Sequence, residues 1–235
     1  MKKTIMFDLD GTLLPFVQED FVKLYFGGLC RKLAPHGYEA DAVVKYVWKG
    51  TEAMVKNDGS RVNSEAFWEV FRGAFADKVD ARAFCDEFYT QEFDAVKACL
   101  RYVPDRKPLI ERLKGAGHEV VLATNPLFPE CAMTTRLGWV GLSPQDFVYI
   151  THYDNSTYCK PNPKYYGELL EKLGREPSEC FMVGNSVPED MLAARAVGID
   201  GFLVTEFVEN PNGEGLSKFS TGTLEQAVDH ILSLI

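Results

Sequence analysis

Five short apolar runs, at residues 4–7, 119–123, 147–150, 180–183 and 201–204, constrain this 235-residue chain more than any other feature. They are continuous rather than alternating, which is how strands read when both faces of a sheet are covered. From the second run onward, helical periodicity separates them. Leu109, Ile110 and Leu113 precede the second run; Tyr165, Tyr166, Leu169, Leu170 and Leu173 precede the fourth. Residues 191–197 lie between the fourth and fifth, and 224–234 close the chain. Gly117, Gly174 and Gly198 stand where helix C-caps belong. This alternation predicts an α/β fold, a doubly wound parallel sheet covered by helices.

The gap between the first two runs is too long for a simple crossover. From about residue 16 to about residue 100 only helical periodicity appears. Phe21, Leu24, Tyr25 and Leu29 form one stripe, and Val43, Val44, Val47 and Trp48 a second. Phe67, Val70, Phe71 and Ala74 form a third, and Phe84, Phe88 and Tyr89 begin a fourth. The expected organisation is therefore a core of residues 1–15 and 101–235, with an all-helical insertion at 16–100 bounded by Pro15 and by Pro104 and Pro108. The aromatic residues of these stripes are read as the insertion's own core.

Composition removes several classes of function. Lys and Arg total 25 against 34 Asp and Glu, a formal charge of −9, and nucleic acid needs a basic face. No apolar run is long enough to span a membrane, and Met-Lys-Lys-Thr leads into a strand rather than a signal peptide's apolar region. Six scattered cysteines without a CxxC pair predict reduced thiols and a cytoplasmic location. The four histidines have no zinc-site spacing.

Ligands of open parallel sheets bind beyond the carboxyl ends of the strands, and each unusual residue falls at such an end. Asp8 and Asp10 close the first strand in Phe-Asp-Leu-Asp-Gly-Thr, residues 7–12. Thr124 and Asn125 close the second, and Lys160 follows the third in Cys-Lys-Pro-Asn-Pro. Val-Gly-Asn-Ser-Val-Pro-Glu-Asp-Met, residues 183–191, closes the fourth and supplies Asn185, Glu189 and Asp190.

The chemistry these groups share is phosphoryl transfer. Asp8 suits an in-line nucleophile that becomes an aspartyl phosphate. Asp10, two residues on and on the same side, can protonate the leaving oxygen and then activate water. Gly11 allows a sharp reversal with backbone N–H groups free to face phosphate, which makes Gly11 and Thr12 candidates to bind it. Thr124 and Asn125 offer polar contacts to the phosphoryl group, and Lys160 a fixed cation. Asp8, Asp10 and Asp190 converging would repel one another unless Mg²⁺ joined them.

These residues resemble the four motifs of the haloacid dehalogenase superfamily. Asp8-Leu9-Asp10-Gly11-Thr12 matches the first motif, Thr124 the second, Lys160 the third, and Gly184-Asn185 through Asp190 the fourth. The resemblance implies a Rossmann-like core and a helical cap in place of the insertion. It also implies Mg²⁺ held by Asp8, the Asp10 carbonyl and side chains of the fourth motif. Asn185 stands where that motif often has Asp, so Asn185 and Asp190 are the favoured ligands, with Glu189 behind them. The expected activity is Mg²⁺-dependent hydrolysis of a small phosphorylated metabolite. A phosphomutase would keep the same motifs. Dehalogenation fits poorly with an acid at Asp10, and phosphonate cleavage would need a cap lysine such as Lys23 or Lys32. A binding protein on the same fold would be expected to have lost one of these groups.

Overall fold

The computed structural model describes residues 2–234. In chain order the elements are β1 (Thr4–Phe7), α1 (Gln18–Leu33), α2 (Ala40–Val55), α3 (Asn63–Ala74), α4 (Arg82–Gln91) and α5 (Lys107–Gly115). There follow β2 (Glu119–Leu122), α6 (Glu130–Gly138), β3 (Tyr149–Ile150), α7 (Lys164–Leu173) and β4 (Cys180–Gly184). The chain ends with α8 (Ala193–Ala196), β5 (Asp200–Val204), β6 (Ser220–Gly222) and α9 (Leu224–Ser233).

The strands form one parallel sheet in the order β3-β2-β1-β4-β5-β6. All four residues of β1 are buried, as a continuous apolar run between two covered faces requires. Phe7 pairs with Leu122 of β2 and with Val183 of β4, so β1 ends between the ends of its two neighbours. Here the sheet order reverses, the place where open sheets leave a crevice.

Three details depart from the sequence reading. The run at 147–150 yields only Tyr149–Ile150, because the Phe147 N–H closes a 3₁₀ turn onto the Pro144 carbonyl. The helix expected at 191–197 begins earlier, as a π-helical turn over Val187–Leu192 that runs into α8. Strand β6 was not anticipated; Ser220–Gly222 has no apolar run to reveal it.

The segment between β1 and β2 is helical, α1 to α4 with 3₁₀ turns at Ala34–His36 and Phe93–Cys99. Its apolar stripes do not close on themselves alone. Phe21 of α1 meets Phe128, in the loop after β2, edge to face at 5.8 Å, and Phe93 meets Trp139 at 5.7 Å. One buried cluster thus runs from Ile5 and Phe7 of the sheet through Phe21, Tyr25 and Phe88 of the helical segment. Trp139 Nε1 donates to Asp94 at 2.9 Å, and the Arg101 N–H donates to the Pro15 carbonyl at 2.8 Å, tying together the two points where the chain crosses.

Candidate active site

Asp8 follows β1 directly, and its carboxylate is buried at the centre of the sheet's carboxyl edge. Lys160, from the loop between β3 and α7, has a fully buried side chain. Its ammonium donates to Asp8 Oδ1 at 3.0 Å and to Asp190 Oδ1 at 2.6 Å. Burial alone would push that ammonium's pKa down. Asp190 and Asp8 outweigh it and hold the group well above its ordinary value.

Asp190 lies in the π-helical turn, and its second oxygen accepts from the Ser186 N–H at 2.9 Å. Its carboxyl is lifted to about 7, by burial first, with Lys160 opposing and Asp8 reinforcing. Gly184 makes this arrangement possible, since a Cβ there would lie 2.2 Å from Asp190 Oδ2. Burial likewise raises Glu189, which accepts from Asn125 Nδ2 at 3.1 Å.

The turn after β1 reverses at Gly11, whose φ of 74° suits glycine. A Cβ on Gly11 would also lie 2.3 Å from Asn185 Nδ2. Two of the N–H groups of this turn are taken up within it. Gly11 donates to the Leu14 carbonyl at 2.9 Å and Thr12 to the Leu9 carbonyl at 3.4 Å. A reversal this tight consumes its own donors. Among the described residues, the N–H groups of Leu9 and Asp10 have no protein acceptor. Thr12 instead donates its hydroxyl to Asn185 Oδ1 at 3.2 Å, and Asn185 Nδ2 donates to the Phe207 carbonyl at 2.6 Å.

Thr124 is buried, and its carbonyl accepts from the Thr151 and Tyr165 hydroxyls. Asn125 also donates to the Lys160 carbonyl at 3.3 Å, which leaves its own Oδ1 buried and without a donor. Cys159, next to Lys160 in the chain, is no acidified thiol; burial pushes it up to about 12.

Asp10 takes a different partner from Asp8. Its carboxylate pairs with the guanidinium of Arg136, on α6. The Arg136 side chain is 1% exposed and lies 4.9 Å from the Phe21 ring and 5.4 Å from that of Phe128. Burial lowers its pKa to about 9, opposed by the charge of Asp8, so it stays cationic at neutral pH. Its Nε is buried without an acceptor. The sequence reading missed Arg136, because one cation in a helix reads as a surface residue. On the helical insertion, Arg61 pairs with Glu69 and Arg72 with Asp80.

The donor set suits a hard divalent cation. Asp8, Asp190, Asn185 and the Asp10 carbonyl would all offer oxygen to such an ion. Around these oxygens the carboxyl groups of Asp8, Asp10, Glu189 and Asp190 outnumber the cations Lys160 and Arg136, an excess that a divalent ion would offset. Among the described residues, no three His, Cys, Asp or Glu side chains could hold a metal by themselves, so any ion here would lean on the amide and carbonyl oxygens.

Comparison with known proteins adds to this geometry. The family described as haloacid dehalogenase-like hydrolase matches residues 2–198. A phosphoglycolate phosphatase of Vibrio vulnificus is 29% identical over 98% of this chain and 96% of its own length. The crystal structure of a 2-haloacid dehalogenase from Pseudomonas syringae superposes with a TM-score of 0.64, at 18% identity over the whole of both chains. A putative hydrolase of the same family from Bacillus subtilis, YfnB, bound to magnesium, gives 0.59 at 18% identity over 99% of each chain.

Proposed function

The chain belongs to the haloacid dehalogenase-like hydrolases, and from that membership we propose that it is a Mg²⁺-dependent phosphatase. It hydrolyses a small phosphomonoester through an aspartyl phosphate on Asp8. The observation that carries this reading is the buried Asp8–Lys160–Asp190 chain at the centre of the sheet's carboxyl edge.

Lys160 holds Asp8 through Oδ1, which leaves Oδ2 as the attacking atom. That oxygen forms a bond to phosphorus in line with the ester oxygen, whose bond breaks. Asp10 takes a proton from solvent as the ester binds, loosening its pair with Arg136, and gives it to the departing oxygen. In the second half, water attacks phosphorus, Asp10 takes the proton from that water, and the bond between phosphorus and Oδ2 breaks. The Leu9 and Asp10 N–H groups and the Thr124 hydroxyl would donate to phosphoryl oxygens. Asp8, the Asp10 carbonyl, Asn185 and Asp190 would hold Mg²⁺. When bound, that ion offsets charge on the phosphoryl oxygens and among the carboxylates. The phosphatase activity of the Vibrio relative supports the same reading.

Replacing Asp8 by Asn tests it. An amide is no nucleophile, so Asp8→Asn should hydrolyse p-nitrophenyl phosphate at least about a thousandfold more slowly with its circular dichroism unchanged. Turnover near wild type in the folded variant would remove Asp8 from the chemistry.

A further inference from the structure

Beside the phosphate-handling groups lies a second cavity, of about 80 Å³, between α1, α2, α3, α4 and the loops that follow β2 and β3. That is several times the space a water needs. Gln18 borders both this cavity and the crevice over Asp10, Gly11 and Asn185. Phe21 and Phe128, which flank the guanidinium of Arg136, also form part of its wall.

The wall has a definite chemistry. No charged side chain contributes to it, and aromatic rings dominate, Tyr25, Trp48, Trp68 and Tyr89 among them. Trp48 is 49% exposed and forms the rim; Trp68 is 3% exposed. The Tyr25 and Tyr89 hydroxyls lie 2.8 Å apart and bond to each other. Burial raises both phenols above their ordinary values, so both keep their protons. One bond between two hydroxyls employs one O–H and leaves the other without an acceptor. Trp68 Nε1 is likewise buried without a hydrogen bond of ordinary geometry, although the Tyr153 hydroxyl is near it. Two leftover donors in an apolar wall favour a ligand that brings an acceptor. Aromatic walls favour a flat partner, since rings meet rings well edge to face or offset.

We infer that this cavity takes the organic part of the phosphomonoester, and that this part is an uncharged planar ring bearing a hydrogen-bond acceptor such as a carbonyl. The inference rests on the phosphatase reading and narrows it. It also separates this chain from enzymes for carboxylated or polyhydroxylated phosphates, whose polar groups would lie against bare aromatic carbon.

The test compares kcat/KM for benzyl phosphate, 4-formylbenzyl phosphate, phosphoglycolate and glycerol 3-phosphate, all esters of alcohols rather than of activated phenols. Both arylmethyl phosphates should exceed the other two by about tenfold or more, the size expected of a few buried apolar groups. The formyl group should add about three- to tenfold, one net hydrogen bond. Trp68→Phe should erase that gain and leave benzyl phosphate within about twofold. Trp48→Ala, at the exposed rim where folding is not at stake, should lower both arylmethyl rates at least about threefold and spare glycerol 3-phosphate. Phosphoglycolate or glycerol 3-phosphate as the better substrate would overturn the inference, as would Trp68→Phe slowing both aryl substrates alike. Absence of all turnover, p-nitrophenyl phosphate included, would overturn the phosphatase reading instead. The cavity is then judged by calorimetric binding of 4-(hydroxymethyl)benzaldehyde, and no binding there overturns the inference as well.

Discussion

At the scale of single residues, the pairing of Asp10 with Arg136 separates stability from chemistry. Removing one member of a buried ion pair strands the other, and the cost depends on how far the survivor can still reach water. Asp10→Asn should therefore lower stability by about 1–3 kcal/mol, less than the roughly 3–5 of a fully buried pair because the Asp10 side chain is 30% exposed. Arg136→Met strands Asp10 in turn, but that side chain is 30% exposed and can be hydrated, so the loss in urea should be smaller, about 1–2 kcal/mol. Its turnover should still fall, because the carboxylate of Asp10 has lost its anchor. The fall should be at least about tenfold for alkyl phosphates and smaller for dinitrophenyl phosphate, whose leaving group needs no proton. Equal losses on both esters would make Arg136 a packing residue only. Why the sequence hid Arg136 while displaying Asp8 and Asp10 is a matter of distance along the chain. Two acids closing an apolar strand are anomalous within a few residues. Arg136 becomes anomalous only when its partner, 126 residues earlier, is known.

Among the elements, the junction of β4 with its π-helical turn shows how local backbone sets the site. The extra residue per turn over Val187–Leu192 brings Asp190 back against the end of its own strand, close enough to bond the Ser186 N–H and to crowd Gly184. Gly184→Ala would place a methyl group 2.2 Å from Asp190 Oδ2, so the carboxylate must move and leave Lys160. The expected result is about 1–3 kcal/mol of destabilisation, the usual cost of overpacking, together with a raised Mg²⁺ requirement. Wild-type stability and Mg²⁺ response in this variant would show that the turn adapts freely. The same junction marks a limit of pattern reading. Continuous apolar runs placed β1 to the residue and β2, β4 and β5 to within one residue at an end. They could not reveal β6, whose Ser-Thr-Gly has no apolar side chain to bury, nor a π turn, whose period differs too little from 3.6 over six residues.

Considered whole, the molecule should unfold as one cooperative unit despite its long insertion. Phe21, Phe93, Phe128 and Trp139 belong to a single apolar cluster that crosses from the helical segment into the sheet domain. Pulling the two apart would expose Trp139, now 1% exposed, and break its bond to Asp94. Calorimetry should accordingly show one unfolding transition, with calorimetric and van't Hoff enthalpies in agreement. Two resolved transitions would mean that the helices fold independently of the sheet. The helical nature of the insertion and its place between the first two strands were readable from periodicity. That its aromatic residues serve both halves was not, because a hydrophobic stripe records that it is buried and not against what.

The hydrogen bond from Arg101 to the Pro15 carbonyl fastens the two crossing strands side by side. A tie between the two linkers fixes their spacing, so any motion of the helices over Asp8 and Asp10 would have to turn about it rather than slide past it. The amide proton of Arg101 then becomes a clock. In heavy water it is replaced only when the tie lets go, and its rate of loss counts those releases. Separated from the exchange of amides that open only on global unfolding, it times the hinge without any substrate present.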